Sequence, residues 1–147
     1  MLKYTEEKTF TQEQVQQLFL SVNWISGNYP ERLYKALMNS STVLTVWDGE
    51  KLVGLTRVLD DTEMLAQIHY VLVHPDYQGH GYATEAVNAV IEDLREMGFQ
   101  KVVAGFFEEN KPSCRVMEKC GMKPNGVVDE EEYRGIRHKC LYYELVL

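Results

Sequence analysis

The sequence predicts an α/β fold (α+β in some schemes): a mixed, mostly antiparallel sheet of seven strands flanked by four helices. Three observations carry this. Ala83, Ala86, Val87, Val90, Ile91, Leu94 and Met97 repeat at helical spacing. β-rich runs at residues 64–73 and 101–107 flank that helix, forming a β-α-β unit with parallel strands and a right-handed crossover. Asp48-Gly49 joins two further β-rich runs, a hairpin signal.

The elements follow in chain order. Residues 2–5 form a short first strand. Thr11-x-x-Gln14 is a capping box that opens a helix, with Phe10 and Val15 as its hydrophobic staple. Val15, Leu18, Phe19 and Val22 give that helix its apolar stripe. A loop over residues 23–29 carries Trp24 and Tyr29. Pro30 suits the first turn of a second helix that faces Leu33, Ala36 and Leu37 inward. Strands at 42–47 and 51–59 flank the Asp-Gly turn, and 64–73 is the next. Gly98 suits the left-handed stop of the long helix. Asn110 caps a short helix that ends near Cys120-Gly121. Strands around 126–133 and 138–147 close the chain. No repeat or linker interrupts it, so residues 1–147 form one domain.

Composition narrows the classes. With 45% hydrophobic and 25% charged residues, the chain reads as globular. A net charge of -7 argues against nucleic acid as partner. No apolar run approaches the ~20 residues of a membrane span, and MLKYTEEKTF lacks the pattern of a signal peptide. No membrane association and a cytoplasmic location are the expectations. Cys114, Cys120 and Cys140 show no metal or redox spacing and read as reduced thiols in the core. His69, His74, His80 and His138 lack ligand spacing, so no metal is expected.

The chemistry concentrates at residues 71–84, where an apolar strand meets an amphipathic helix through Gly79 and Gly81. A helix start leaves backbone N–H groups unpaired and favours negative charge. Glycine lets a phosphate come close to that backbone. A P-loop is excluded because no Lys follows, and Gly79-x-Gly81-x-x-Thr84 breaks the dinucleotide fingerprint. The pattern Gln78-x-x-Gly81-x-Ala83 resembles the pyrophosphate motif of the GCN5-related N-acetyltransferases. His69-Tyr70-Val71-Leu72-Val73-His74-Pro75 resembles that family's fourth strand. Asn110-x-x-Ser113-x-x-Val116-Met117-Glu118-Lys119-Cys120-Gly121 is similar to its ribosomal-protein N-acetyltransferase branch, as is Thr84-Glu85-Ala86-Val87. Residues 24–30 and 53–55 look more like small, uncharacterised acetyltransferases.

The resemblance implies the acyl-CoA N-acyltransferase fold and an enzyme that moves acetyl from acetyl-CoA to a primary amine by direct attack in a ternary complex. It implies that Val71, Leu72 and Val73 pair with the pantetheine arm. Gln78, Gly79, His80, Gly81, Tyr82, Ala83 and Thr84 would hold the pyrophosphate, and Asn110 and Ser113 would flank the reacting end. A glutamate common five residues before the motif Asn is replaced by Gly105, and a tyrosine common seven residues after it by Met117. Proton transfer is therefore sought at His69, Tyr70 and Ser113, with alternation placing His69 and Tyr70 on opposite faces of the strand. Glu132 is a further candidate base in the acidic run Asp129-Glu130-Glu131-Glu132. Trp24, Tyr29 and Arg57 are expected to wall the acceptor pocket. The acceptor would be a small-molecule amine or a protein amino group, and the family implies a homodimer. The competing reading is a CoA-binding module without catalysis.

Overall fold

The computed structural model describes residues 2–147. Its elements are β1 (Lys3–Thr5), α1 (Gln12–Ser21), a 3₁₀ turn (Ile25–Asn28), α2 (Pro30–Met38), β2 (Thr42–Asp48), β3 (Lys51–Asp60), β4 (Leu65–Val73), a second 3₁₀ turn (Pro75–Tyr77), α3 (Tyr82–Met97), β5 (Lys101–Phe107), α4 (Lys111–Lys119), β6 (Lys123–Tyr133) and β7 (Ile136–Val146). The predicted order and types hold throughout. The sixth strand starts three residues before its expected Gly126, and its pairing with β7 is irregular between Pro124 and Val128. The capping box at Thr11 is formed in both directions, by hydrogen bonds of 3.1 and 2.8 Å. Gly98 ends α3 in the left-handed conformation with φ 91.

The seven strands lie in the order β1-β2-β3-β4-β5-β7-β6. β4 and β5 are parallel, and the remaining neighbours are antiparallel. Two cores sandwich the sheet. On one face α3 and α4 pack Val87, Val90, Ile91, Leu94 and Met117 against Val46, Val58, Ile68, Val102 and Tyr143. On the other, α1 and α2 pack Val15, Leu18, Phe19, Leu33 and Leu37 against Val43, Leu52, Leu55 and Leu72. The buried members of that second core include none from β5, β6 or β7. Helices α1 and α2 therefore cover half of their face and leave a basin over the other half.

Two departures from regular pairing shape this basin. β4 and β5 pair only from Leu65–Lys101 to Ile68–Ala104, and beyond that point they part. On the β3 side, Arg57 pairs with Tyr70 while Val58 pairs with Ile68, so His69 is the extra residue of a bulge. A bulge breaks the two-residue alternation. His69 and Tyr70 consequently line the same cavity, which corrects the expectation that they face opposite ways.

Candidate functional site

Two cavities meet where β4 and β5 part. The first, about 550 Å³, runs from the α3 N-terminus along β4 to α4. It is lined by Val71, Leu72, Val73, Gln78, Gly79, Gly81, Tyr82, Ala83, Thr84, Asn110 and Ser113, together with Trp24, Tyr77, Arg115 and Lys119. The turn that opens it holds Gly79 at φ 84 and Gly81 at φ 83, a region that strains any side-chain-bearing residue. Beyond the adjoining residues, no atom comes within 4 Å of where a Cβ would stand at either glycine, so the space before them is open. The N–H groups of the first turn of α3 lack intrahelical partners. Tyr77 anchors the turn by donating its hydroxyl to Asp48 Oδ2 at 2.5 Å.

The free edge of β4 supplies more donors. His74 N–H donates to Val53 O on β3 at 2.8 Å. Backbone groups alternate in direction along a strand, so Val71 and Val73 turn theirs toward the opening. Gln78 Nε2 donates to Val73 O at 2.9 Å, as that direction requires. The charged lining residues of this cavity are Arg115 and Lys119, both cationic. In a chain of net charge -7 this is a local reversal suited to an anion. Sequence reading missed both residues; their i, i+4 spacing on the Ser113 helix was the available signal. His80 lies outside this lining: the two left-handed glycines around it turn it outward, where it stacks on Tyr82 at 5.5 Å.

The second cavity, about 690 Å³, occupies the uncovered basin. His69, Tyr70, Gly105, Phe107, Glu131, His138, Cys140 and Tyr142 line it, and Val71, Asn110 and Ser113 belong to both cavities. Asn110 Oδ1 accepts from Ser113 N–H at 3.3 Å, so one residue caps α4 and faces both spaces. Trp24 stands at the junction and packs on Phe19 and Tyr70. Across the top, Ile25 N–H donates to the Tyr133 hydroxyl at 3.2 Å, and the Arg134 guanidinium donates to Asn23 O. The β6–β7 turn is thereby clasped to the segment after α1.

Two expected wall residues are corrected. Tyr29 is 57% exposed and lines neither cavity. The 3₁₀ turn seats Gly27 so tightly on Leu20 that a Cβ would lie 2.9 Å from its side chain, and Tyr29 is carried outward. Arg57 stands behind the wall, where Nε donates to Ser40 Oγ at 2.8 Å and Nη1 lies 3.2 Å from His69 Nδ1. Among the acidic run, Glu131 rather than Glu132 lines the cavity, because it pairs with His138 while Glu132 pairs with Arg137.

Burial, then the Arg57 guanidinium, hold His69 below its ordinary pKa of 6.5. A guanidinium only donates, so Nδ1 accepts and Nε2 carries the hydrogen of the neutral ring. Burial raises the Cys140 thiol, which keeps it protonated. The Tyr70 hydroxyl lies 3.2 Å from Ser26 Oγ.

A mixed sheet that parts between two parallel strands, with a helix start and cations facing the opening, is the acyl-CoA N-acyltransferase architecture. The chain belongs to the acetyltransferase (GNAT) family, whose model matches residues 8–122. It is similar to the uncharacterized N-acetyltransferase YnaD of Bacillus subtilis, with 32% identity over 127 residues, 86% of this chain and 68% of that protein. The chain spans 57%, 68% and 55% of the length of three curated relatives that it matches. The ribosomal-protein-S18-alanine N-acetyltransferase of Escherichia coli shares the fold, at TM-score 0.83 and 13% identity over 99% of this chain and 94% of that one. So does yncA of Salmonella typhimurium, solved with its cofactor acetyl-CoA, at TM-score 0.76 and 16% identity over 99% and 93%.

Proposed function

We propose that this chain transfers the acetyl group of acetyl-CoA to a primary amine by direct attack in a ternary complex. One observation carries this reading: the two cavities share Val71, Asn110 and Ser113. A thioester laid along β4 from the α3 turn ends at that junction, and an amine in the second cavity reaches its carbonyl. The turn from Gln78 to Thr84 takes the pyrophosphate, Arg115 and Lys119 add positive charge, and the open edge of β4 takes the pantetheine arm. Val71 or Val73 N–H supplies the donor for the oxyanion that develops during attack. The Ser113 hydroxyl is assigned to the departing thiolate.

An alkylammonium has a pKa of ~10.4 and must lose a proton before it attacks. His69, with Nδ1 held by Arg57, turns its Nε2–H to a hydrogen-bond acceptor elsewhere on the acceptor molecule and orients it, leaving the lone pair of the attacking nitrogen free. The proton leaves through water to bulk solvent, relayed by the Tyr70 and Ser26 hydroxyls. The clasp over the second cavity favours an unhindered amine presented end-on, from a small molecule or a chain terminus.

The test is thiol release from acetyl-CoA against a panel of amine classes, beside thermal unfolding with CoA. Amine-dependent release is expected, with stabilisation of ~2.7 kcal/mol at 100 times the Kd. Stabilisation without release for any amine class would show a CoA-binding module. The absence of both would overturn the assignment of the first cavity as well.

A further inference from the structure

Gly105 stands where β4 and β5 part. The last pair between those strands is Ile68 with Ala104, one residue earlier. On its other side Gly105 pairs with Tyr142 of β7. Its backbone is not among the glycines with positive φ, so a left-handed conformation does not explain the residue. Contact does. A Cβ at position 105 would lie 2.7 Å from Tyr142 Cε1 and 3.0 Å from Cδ1, closer than side chains approach one another. Glycine within a strand often marks such a close approach.

The ring that fills this space belongs to the acceptor cavity, which Gly105 and Tyr142 both line. Cys140 and Asp129 are the acidic neighbours of the Tyr142 hydroxyl. Burial and these neighbours push its pKa up to about 12, so the phenol stays neutral. The residue thus presents a fixed aromatic surface to the acceptor.

We infer that Gly105 and Tyr142 form an interlocked pair that sets which acceptor amines fit: the tyrosine ring, admitted by the glycine, is the floor against which the carbon skeleton next to the reacting nitrogen packs. This rests on the acetyl transfer proposed above. The substrate class it names is an amine slender at the nitrogen-bearing carbon, excluded when branching there meets the ring. A misfit of one methylene in an apolar pocket changes kcat/KM by about 10–200-fold, so the ring is large enough to decide between amines.

Two measurements test the pair. The first is thermal unfolding of Gly105→Ala, Tyr142→Ala and the double variant. Gly105→Ala is expected to lower Tm in the wild-type background and to have little effect once Tyr142 is alanine. An equal Tm loss in both backgrounds would overturn the interlock. The second is kcat/KM for an amine series that branches progressively at the nitrogen-bearing carbon. Tyr142→Ala, or Tyr142→Leu if the alanine variant folds poorly, is expected to raise the branched-to-linear ratio by ~10-fold or more. Tyr142→Phe, which keeps the ring, is expected to retain the wild-type ranking. An unchanged ratio in both the alanine and leucine variants would overturn the specificity role. If the wild type acetylates no amine in the series, the proposed activity fails, and the unfolding cycle still decides the interlock.

Discussion

At the scale of single residues, His69 is where sequence and structure differ most usefully. Its place on the fourth strand was legible, but its direction was not, because a bulge is one extra residue that leaves no mark in an alternating pattern. Its partner was equally hidden: Arg57 Nη1 comes from β3, 12 residues upstream. The contact has a measurable consequence. As pH falls through the depressed pKa of His69, Nδ1 gains a proton and can no longer accept from Arg57, and two cations then face each other. Deprotonation of the substrate amine makes the rate rise with pH in wild type and variant alike. The ratio of kcat/KM between wild type and His69→Gln isolates the histidine. We expect this ratio to be level above pH ~6.5, the unperturbed value, and to decline below it. A constant ratio across that range would remove His69 from acceptor binding.

At the scale of elements, the α3 turn was the most legible part of the site. Its glycines are adjacent in sequence to the strand and helix they join, so local pattern reports it fully. The closing strands were less so. Glu131, Arg134, His138 and Tyr142 enter the cavity through the register of β6 with β7 and of β7 with β5. Such register joins residues far apart in the chain, and periodicity within one strand does not report it. For the α3 turn, Gly81→Ala and Gly81→Glu separate two effects. Both place a side chain at φ 83, while only the second adds negative charge where the pyrophosphate is proposed to sit. Calorimetry is expected to show a modest loss of acetyl-CoA affinity for alanine and a loss of tenfold or more, about 1.4 kcal/mol, for glutamate. Equal affinities for the two variants would move the phosphates elsewhere.

At the scale of the whole molecule, the number of strands, their order along the chain and the parallel β4–β5 pair were readable from element type and hairpin signals; the place of β7 between β5 and β6 and the ties between distant segments were not. One such tie joins the segment after β1 to α3. The neighbouring Asp93 carboxyl, and then burial, raise the Glu6 carboxyl to about 7. The folded state therefore holds a proton there that the unfolded chain, near 4.5, releases. The stabilisation is complete below the unfolded value and is lost as pH rises through the folded one. Thermal unfolding should show Tm falling as pH rises from 4.5 to 7 and levelling above that. Glu6→Gln should flatten that decline. A wild-type Tm that stays level or rises across the window would sink the shared proton.

The position of β7 between β5 and β6 governs when the site can exist during synthesis. Residues 1–107 emerge from the ribosome with β1 to β5 able to pair, yet β5 then has no neighbour on its outer side. β6 appears next, and in the native sheet its partner among the described residues is β7, not β5. The floor of the proposed acceptor cavity is therefore laid last, by a hairpin that adds to the sheet with its later strand innermost. A nascent chain stalled before residue 136 could form the α3 turn and the cationic cleft while lacking Tyr142, His138 and the clasp at Arg134. The proposed CoA cleft and the proposed acceptor floor are thus completed at different moments of one chain's emergence.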